Sequence, residues 1–73
     1  MKNTQYLVDA LVAKYQAQRL EGIANLQIYF DTATGVGEHP DIVAECDKLI
    51  IQITDAEGKL DGLKRLVDST KQG

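Results

Sequence analysis

The stretch IVAECDKLIIQITDAEGKLDGLKRLV, residues 42–67, decides the fold of this 73-residue chain. Its apolar residues recur at alternating spacings of four and three, the a/d pattern of a helix that packs against other helices. We call this set the heptad seam. It consists of Ile42, Cys46, Leu49, Ile53, Ala56, Leu60, Leu63 and Val67. The seam predicts one long helix from about residue 40 to about residue 69.

The residues before the seam predict a first helix from about residue 4 to about residue 31. Most apolar residues there recur three or four positions apart, although the stripe is interrupted near Gln18 and Arg19. A short strand over residues 26–30 is the alternative, but the sequence offers no partner strand, so the helix is favoured. Gly35 and Pro40 mark the break between the helices, and a turn is expected over about residues 32–39.

A short connection between two helices of similar length predicts one all-α domain, residues 1–73, folded as a two-helix antiparallel hairpin. Such a hairpin has a single shared seam, and further apolar residues remain outside it. On the second helix these form an expected second apolar strip of Ile50, Ile51 and Leu66. A strip of this kind indicates coverage by another helix, so we expect a homo-oligomer, most simply a dimeric four-helix bundle with coiled-coil packing.

The composition disfavours several classes of protein. Eleven acidic and eight basic residues give a net charge of -3, and the basic residues are dispersed, so no nucleic-acid partner is expected. No apolar run is long enough for a membrane span or a signal peptide, so no membrane association is expected either. With one cysteine and no export signal, the expected compartment is the cytoplasm.

No catalytic constellation, metal site or cofactor site is predicted. His39 has no obvious catalytic partner and precedes Pro40, which favours a structural or contact role in the turn. Cys46 occupies a seam position and is interpreted as a small core residue rather than a nucleophile. Acidic residues near the turn are interpreted as compensation of the helix dipole. The chain is therefore predicted not to be an enzyme.

Residues 35–43, GVGEHPDIV, together with residues 24–30 before them and 47–50 after them, carry a family resemblance. The chain resembles small helical-hairpin proteins of tailed phages, including those that infect marine cyanobacteria. The resemblance spans about residues 11–63, and its distinctive part is the Gly-x-Gly-Glu-His-Pro turn. It implies a small accessory protein that binds a host or phage protein, and it transfers no catalytic residue.

The expected function is therefore protein–protein binding by a homo-oligomer in the host cytoplasm, with the turn residues Val36, Glu38 and His39 as a candidate contact for a partner. Two alternatives remain open. One is an oligomeric binder or sponge for a nucleotide or other metabolite, such as an anti-defence protein. The other is a minor structural or assembly subunit. The cations available for a ligand site are Lys14, Arg19, Lys64 and Arg65.

Overall fold

This computed structural model describes residues 2–31 and 41–72, and within them the protein is all-helical. Helix α1 spans Lys2–Asp31 and helix α2 spans Ile42–Gln72. Both segments are rich in Ala, Leu, Lys, Glu and Gln, the residues that lose least side-chain entropy in a helix. No described residue belongs to a strand, so the helical interpretation of residues 26–30 is confirmed.

The two helices pack against each other in antiparallel orientation. Tyr15 of α1 lies near Lys59 of α2, whereas Gln18, one turn further along α1, contacts Gln52. Residue numbers therefore rise along one helix as they fall along the other. The molecule is a rod with extents of 55 × 17 × 13 Å, as expected for helices of about thirty residues at 1.5 Å per residue.

The helix bounds differ slightly from those expected from the sequence. Helix α1 begins at Lys2, two residues before the expected start. Helix α2 begins at Ile42 instead of Pro40, and the carbonyl of Asp41 accepts the Glu45 amide at 3.0 Å, which closes the first turn. At its other end α2 continues beyond Ser69 to Gln72. Shifts of this size are ordinary at helix ends, where the backbone pattern weakens gradually.

The hairpin buries very little. Leu26 of α1 and Ala56 of α2 are the only buried apolar side chains among the described residues. The other seven members of the heptad seam are half-buried, as are Val8, Tyr15 and Ile23 on the facing side of α1. Each half-buried side chain contacts the other helix on one side and remains accessible on the other. A single seam between two helices cannot enclose these side chains on all sides.

Gly22 marks the closest approach of the two helices. It is buried, and a Cβ atom built on it would lie 2.7 Å from Cγ1 of Ile53, closer than real Cβ contacts. Ala56, which is 0% exposed, lies one turn further along α2 from Ile53. Small residues at these positions let the backbones approach, so glycine is needed here for space. Gly58 and Gly62 have nothing within 4 Å of the same added atom.

The glycines give a matched prediction about stability. Gly22→Ala gains helix propensity but drives a methyl group into Ile53, and overpacking costs about 1–3 kcal/mol. We expect this variant to lose about 1 kcal/mol of unfolding free energy. Gly58→Ala meets no neighbour and should gain about 0.5–1 kcal/mol. Urea unfolding of both variants measures the difference, and equal stabilisation by the two substitutions would contradict the close approach.

Candidate interaction surface

A polar layer crosses the middle of the hairpin where the α1 stripe is interrupted. Nε2 of Gln52 donates to the backbone carbonyl of Gln18 at 2.8 Å, and Nε2 of Gln18 donates back to the carbonyl of Gln52 at 3.4 Å. Both side chains are half-buried. Because the two glutamines make both bonds only when they lie opposite each other, this reciprocal pair favours one alignment of the two helices.

Two ion pairs lie close to this polar layer. Nε of Arg19 lies 2.9 Å from Oε2 of Glu57 and connects the two helices. Nζ of Lys59 lies 3.0 Å from Oδ2 of Asp55 and 5.4 Å from the centre of the Tyr15 ring, a cation–π distance. The hydrogen bond and the positive charge of Lys59 hold the pKa of the Asp55 carboxyl below its ordinary value. All four charged groups remain substantially accessible to solvent, so the pairs align the helices more than they stabilise them.

Large apolar side chains are exposed on both helices. Tyr6 at 75% and Leu20 at 60% are examples on α1, and Leu66 at 67% is one on α2. Monomeric soluble proteins expose single apolar side chains routinely, but seldom a contiguous row of them. The full set is Tyr6, Leu7, Leu20, Ile28, Phe30, Val43, Ile50, Ile51 and Leu66.

One contiguous row does exist, on the side of α1 that points away from α2. We call it the α1 outer face, and it consists of Tyr6, Ala10, Ala13, Ala17, Leu20 and Ala24, all of them exposed. The spacings are 4, 3, 4, 3 and 4, a second heptad pattern. Four of its six positions are alanine, so it does not stand out among the larger apolar residues of α1. Counting alanines at that spacing would have found it.

The outward side of α2 is different in character. It carries Asp47, Ile51, Thr54, Gly58, Asp61 and Arg65, which are exposed, and Ile51 is the one large apolar side chain among them. Arg65 pairs with Asp61 at 3.5 Å. A charged, solvated side of this kind is the usual outer side of a surface helix. The outward side of α2 is therefore mostly charged or polar, whereas the outward side of α1 is apolar.

The second apolar strip expected on α2 does not form a row. Ile50, Ile51 and Leu66 are all exposed. However, Ile50 and Ile51 are consecutive and so lie about 100° apart around the helix axis, and Leu66 is about four turns away. The heptad seam residues, by contrast, all lie on the side of α2 that faces α1. The candidate turn residues Val36, Glu38 and His39 lie outside the described residues.

The described residues offer little for ligand or metal chemistry. They contain no group of three or more His, Cys, Asp or Glu side chains that could hold a metal ion. Cys46 is a free, half-buried thiol in the seam. Of the four candidate cations, Arg19 and Arg65 are engaged by carboxylates. Lys64 borders a shallow groove of about 330 Å³ between the helices.

Within the described part of the chain, neither helix is long and apolar enough to cross a bilayer.

The geometry defines an all-helical two-helix hairpin with one exposed apolar face. Comparisons with protein-family models, with curated proteins and with solved structures give no match for this chain.

The Lys59–Asp55 pair gives a prediction about pH. Because the pKa of Asp55 is lowered in the folded state, its contribution to stability is present above the unfolded pKa and is lost as the pH falls through the folded pKa. Replacing Lys59 by Met keeps the aliphatic stem against Tyr15 but removes the charge. We expect the Asp55 pKa, followed by NMR titration of the carboxyl carbon, to rise towards its ordinary value.

The matched control for this titration is Lys48→Met. Lys48 pairs with Glu45 at 3.3 Å, remote from Asp55 on the same helix, so the Asp55 titration should be unchanged. A Lys59→Met protein in which Asp55 titrates as in wild type would show that the pair does not form in solution.

Proposed function

We propose that this chain is a non-enzymatic binding protein that acts as a self-associating helical hairpin. The observation that supports the proposal is the α1 outer face, an uninterrupted apolar row on a helix whose other side already packs against α2. A soluble chain that leaves such a row exposed gains free energy when another protein surface covers it. Binding is therefore the activity that this geometry favours.

The accessible area supports the same proposal. A folded monomer of 8.0 kDa has an accessible surface of about 4450 Å² by the usual scaling with mass. This chain has 5806 Å². The excess of roughly 1350 Å² is larger than the 800 Å² or so that each partner buries in a standard interface. The hairpin thus has enough spare surface for one stable contact.

The biological setting of this binding activity is proposed from the sequence. The resemblance to small phage proteins suggests an accessory protein of a tailed phage that works in the host cytoplasm and binds a host or phage protein. In that setting the oligomer would be the scaffold, and the turn with Val36, Glu38 and His39 would be available for the partner. A structural subunit of a phage assembly would use the same self-association.

Self-association is tested by measuring mass and stability across concentration. Sedimentation equilibrium should give a mass of at least twice 8.0 kDa at micromolar concentrations. The thermal midpoint should rise by roughly 5–10 °C over a hundred-fold increase in concentration, because mass action stabilises only the associated state. A single-chain mass together with a concentration-independent midpoint would refute the proposal.

A further inference from the structure

We infer that a second copy of this chain docks on the α1 outer face, with the two α1 helices antiparallel and a two-fold axis passing at the level of Tyr15. The inference rests on the proposed self-association and specifies where it occurs. Helix α1 then lies between its own α2 on one side and the partner's α1 on the other. The dimer is a flat row of four helices, α2–α1–α1–α2, instead of the closed four-helix bundle expected from the sequence.

The chemistry of the face points to an apolar helical partner. Between Tyr6 and Ala24 the row contains no charged and no polar residue other than the Tyr6 hydroxyl. The charged residues of that part of the helix, such as Asp9, Lys14 and Glu21, lie at its margins. An apolar row with charged margins is the arrangement of a coiled-coil helix, in which the central row packs and the margins select the partner.

The order of large and small residues makes the face complementary to itself. In the antiparallel alignment centred at the level of Tyr15, Leu20 of one chain meets Ala10 of its partner, and Tyr6 meets Ala24. Ala13 and Ala17 meet across the axis. Every large side chain thus faces an alanine, so the two helices approach closely without a clash between bulky groups. A two-fold interface requires this kind of self-complementarity.

The charges at the margins agree with the same alignment. Lys14 and Glu21 lie on the same margin of the row, one heptad apart. When two such rows pair antiparallel, equivalent margins adjoin, and Lys14 of each chain comes beside Glu21 of the other. The interface therefore contains two symmetric ion pairs. On the opposite margin, Gln16 meets Gln16 of the partner. The two Lys14 residues also adjoin near the axis, and the Glu21 carboxylate of each chain offsets their repulsion.

The area required for such a dimer is available. The hairpin as a whole exposes roughly 1350 Å² more than a folded monomer of its mass, compared with the 800 Å² or so that a standard interface takes from each partner. The outward side of α2 cannot supply this contact, because Asp47, Asp61 and Arg65 would be desolvated there. The α1 outer face, by contrast, contains no charged residue that an interface would desolvate.

The decisive variant is Ala17→Glu, which places two carboxylates beside the two-fold axis. We expect the dimer dissociation constant to rise at least about a hundred-fold, because unpaired charges would be buried. The matched control is Ala44→Glu, the same change at an exposed alanine of α2, which should leave the dissociation constant within about two-fold of wild type. Sedimentation measures the constants, and circular dichroism reports helix content.

A charge exchange keeps the inference testable if Ala17→Glu does not fold. Lys14→Glu should weaken the dimer about ten-fold, because two ion pairs become two like-charge contacts. The double variant Lys14→Glu with Glu21→Lys should restore wild-type affinity. A loss without restoration would overturn the proposed alignment.

The outcomes separate this inference from the proposed function. A wild-type oligomer that Ala17→Glu leaves intact would overturn the α1 docking face but leave self-association standing. A wild-type protein that is monomeric at every concentration would overturn both. Dissociation caused by Ala17→Glu and not by Ala44→Glu, with restoration by the charge exchange, would support the face and its alignment together.

Discussion

Two helices can share only one seam, and every other property of this hairpin follows from that constraint. Each helix of about thirty residues has a full circumference to cover, but its neighbour covers about a third of it. The consequence is visible at Leu26 and Ala56, the only apolar side chains among the described residues that are buried. A globular domain of similar length would surround its core on all sides. Here the core is a line, and the protein has little margin of stability within one chain.

The chain adapts to this constraint by making its one seam close and well aligned. Gly22 removes the side chain where Ile53 must fit, and Ala56 lies nearby on the opposite helix. Gln18 and Gln52 then favour one alignment, since sliding one helix by a turn would separate the two glutamines and break both hydrogen bonds between them. Apolar contacts alone would tolerate such a slide, because a repeating seam looks similar at every heptad. The polar layer therefore adds specificity that the apolar seam lacks.

The sequence predicted the hairpin and the apolar residues of α2 that lie outside its seam, but not the apolar row on the outer side of α1, for a physical reason. Helix α2 has one apolar side, so its heptad seam stands out and the hairpin follows from it. Helix α1 has apolar residues on two opposite sides, and their contributions cancel in any test for a single stripe. Gln18 looked like a gap in the stripe, although it pairs with Gln52 across the helices. Ile50 and Ile51 looked like a strip, although consecutive residues lie on different sides of a helix.

The presence of apolar rows on opposite sides of one helix also limits the form that an assembly can take. In a closed bundle, each helix turns one broad apolar sector towards a common axis, and its remaining sides are polar. Helix α1 has a different surface, because its α2-facing row and its outer face point in opposite directions, and this is why we propose a layer of helices instead of a closed bundle. A helix of this type belongs in the interior of a layer, between two neighbours. The charged outer side of α2 suits the margin of the same layer, where it meets water. The two helices thus differ in the positions that their surfaces fit, and α1 is the one suited to join two copies.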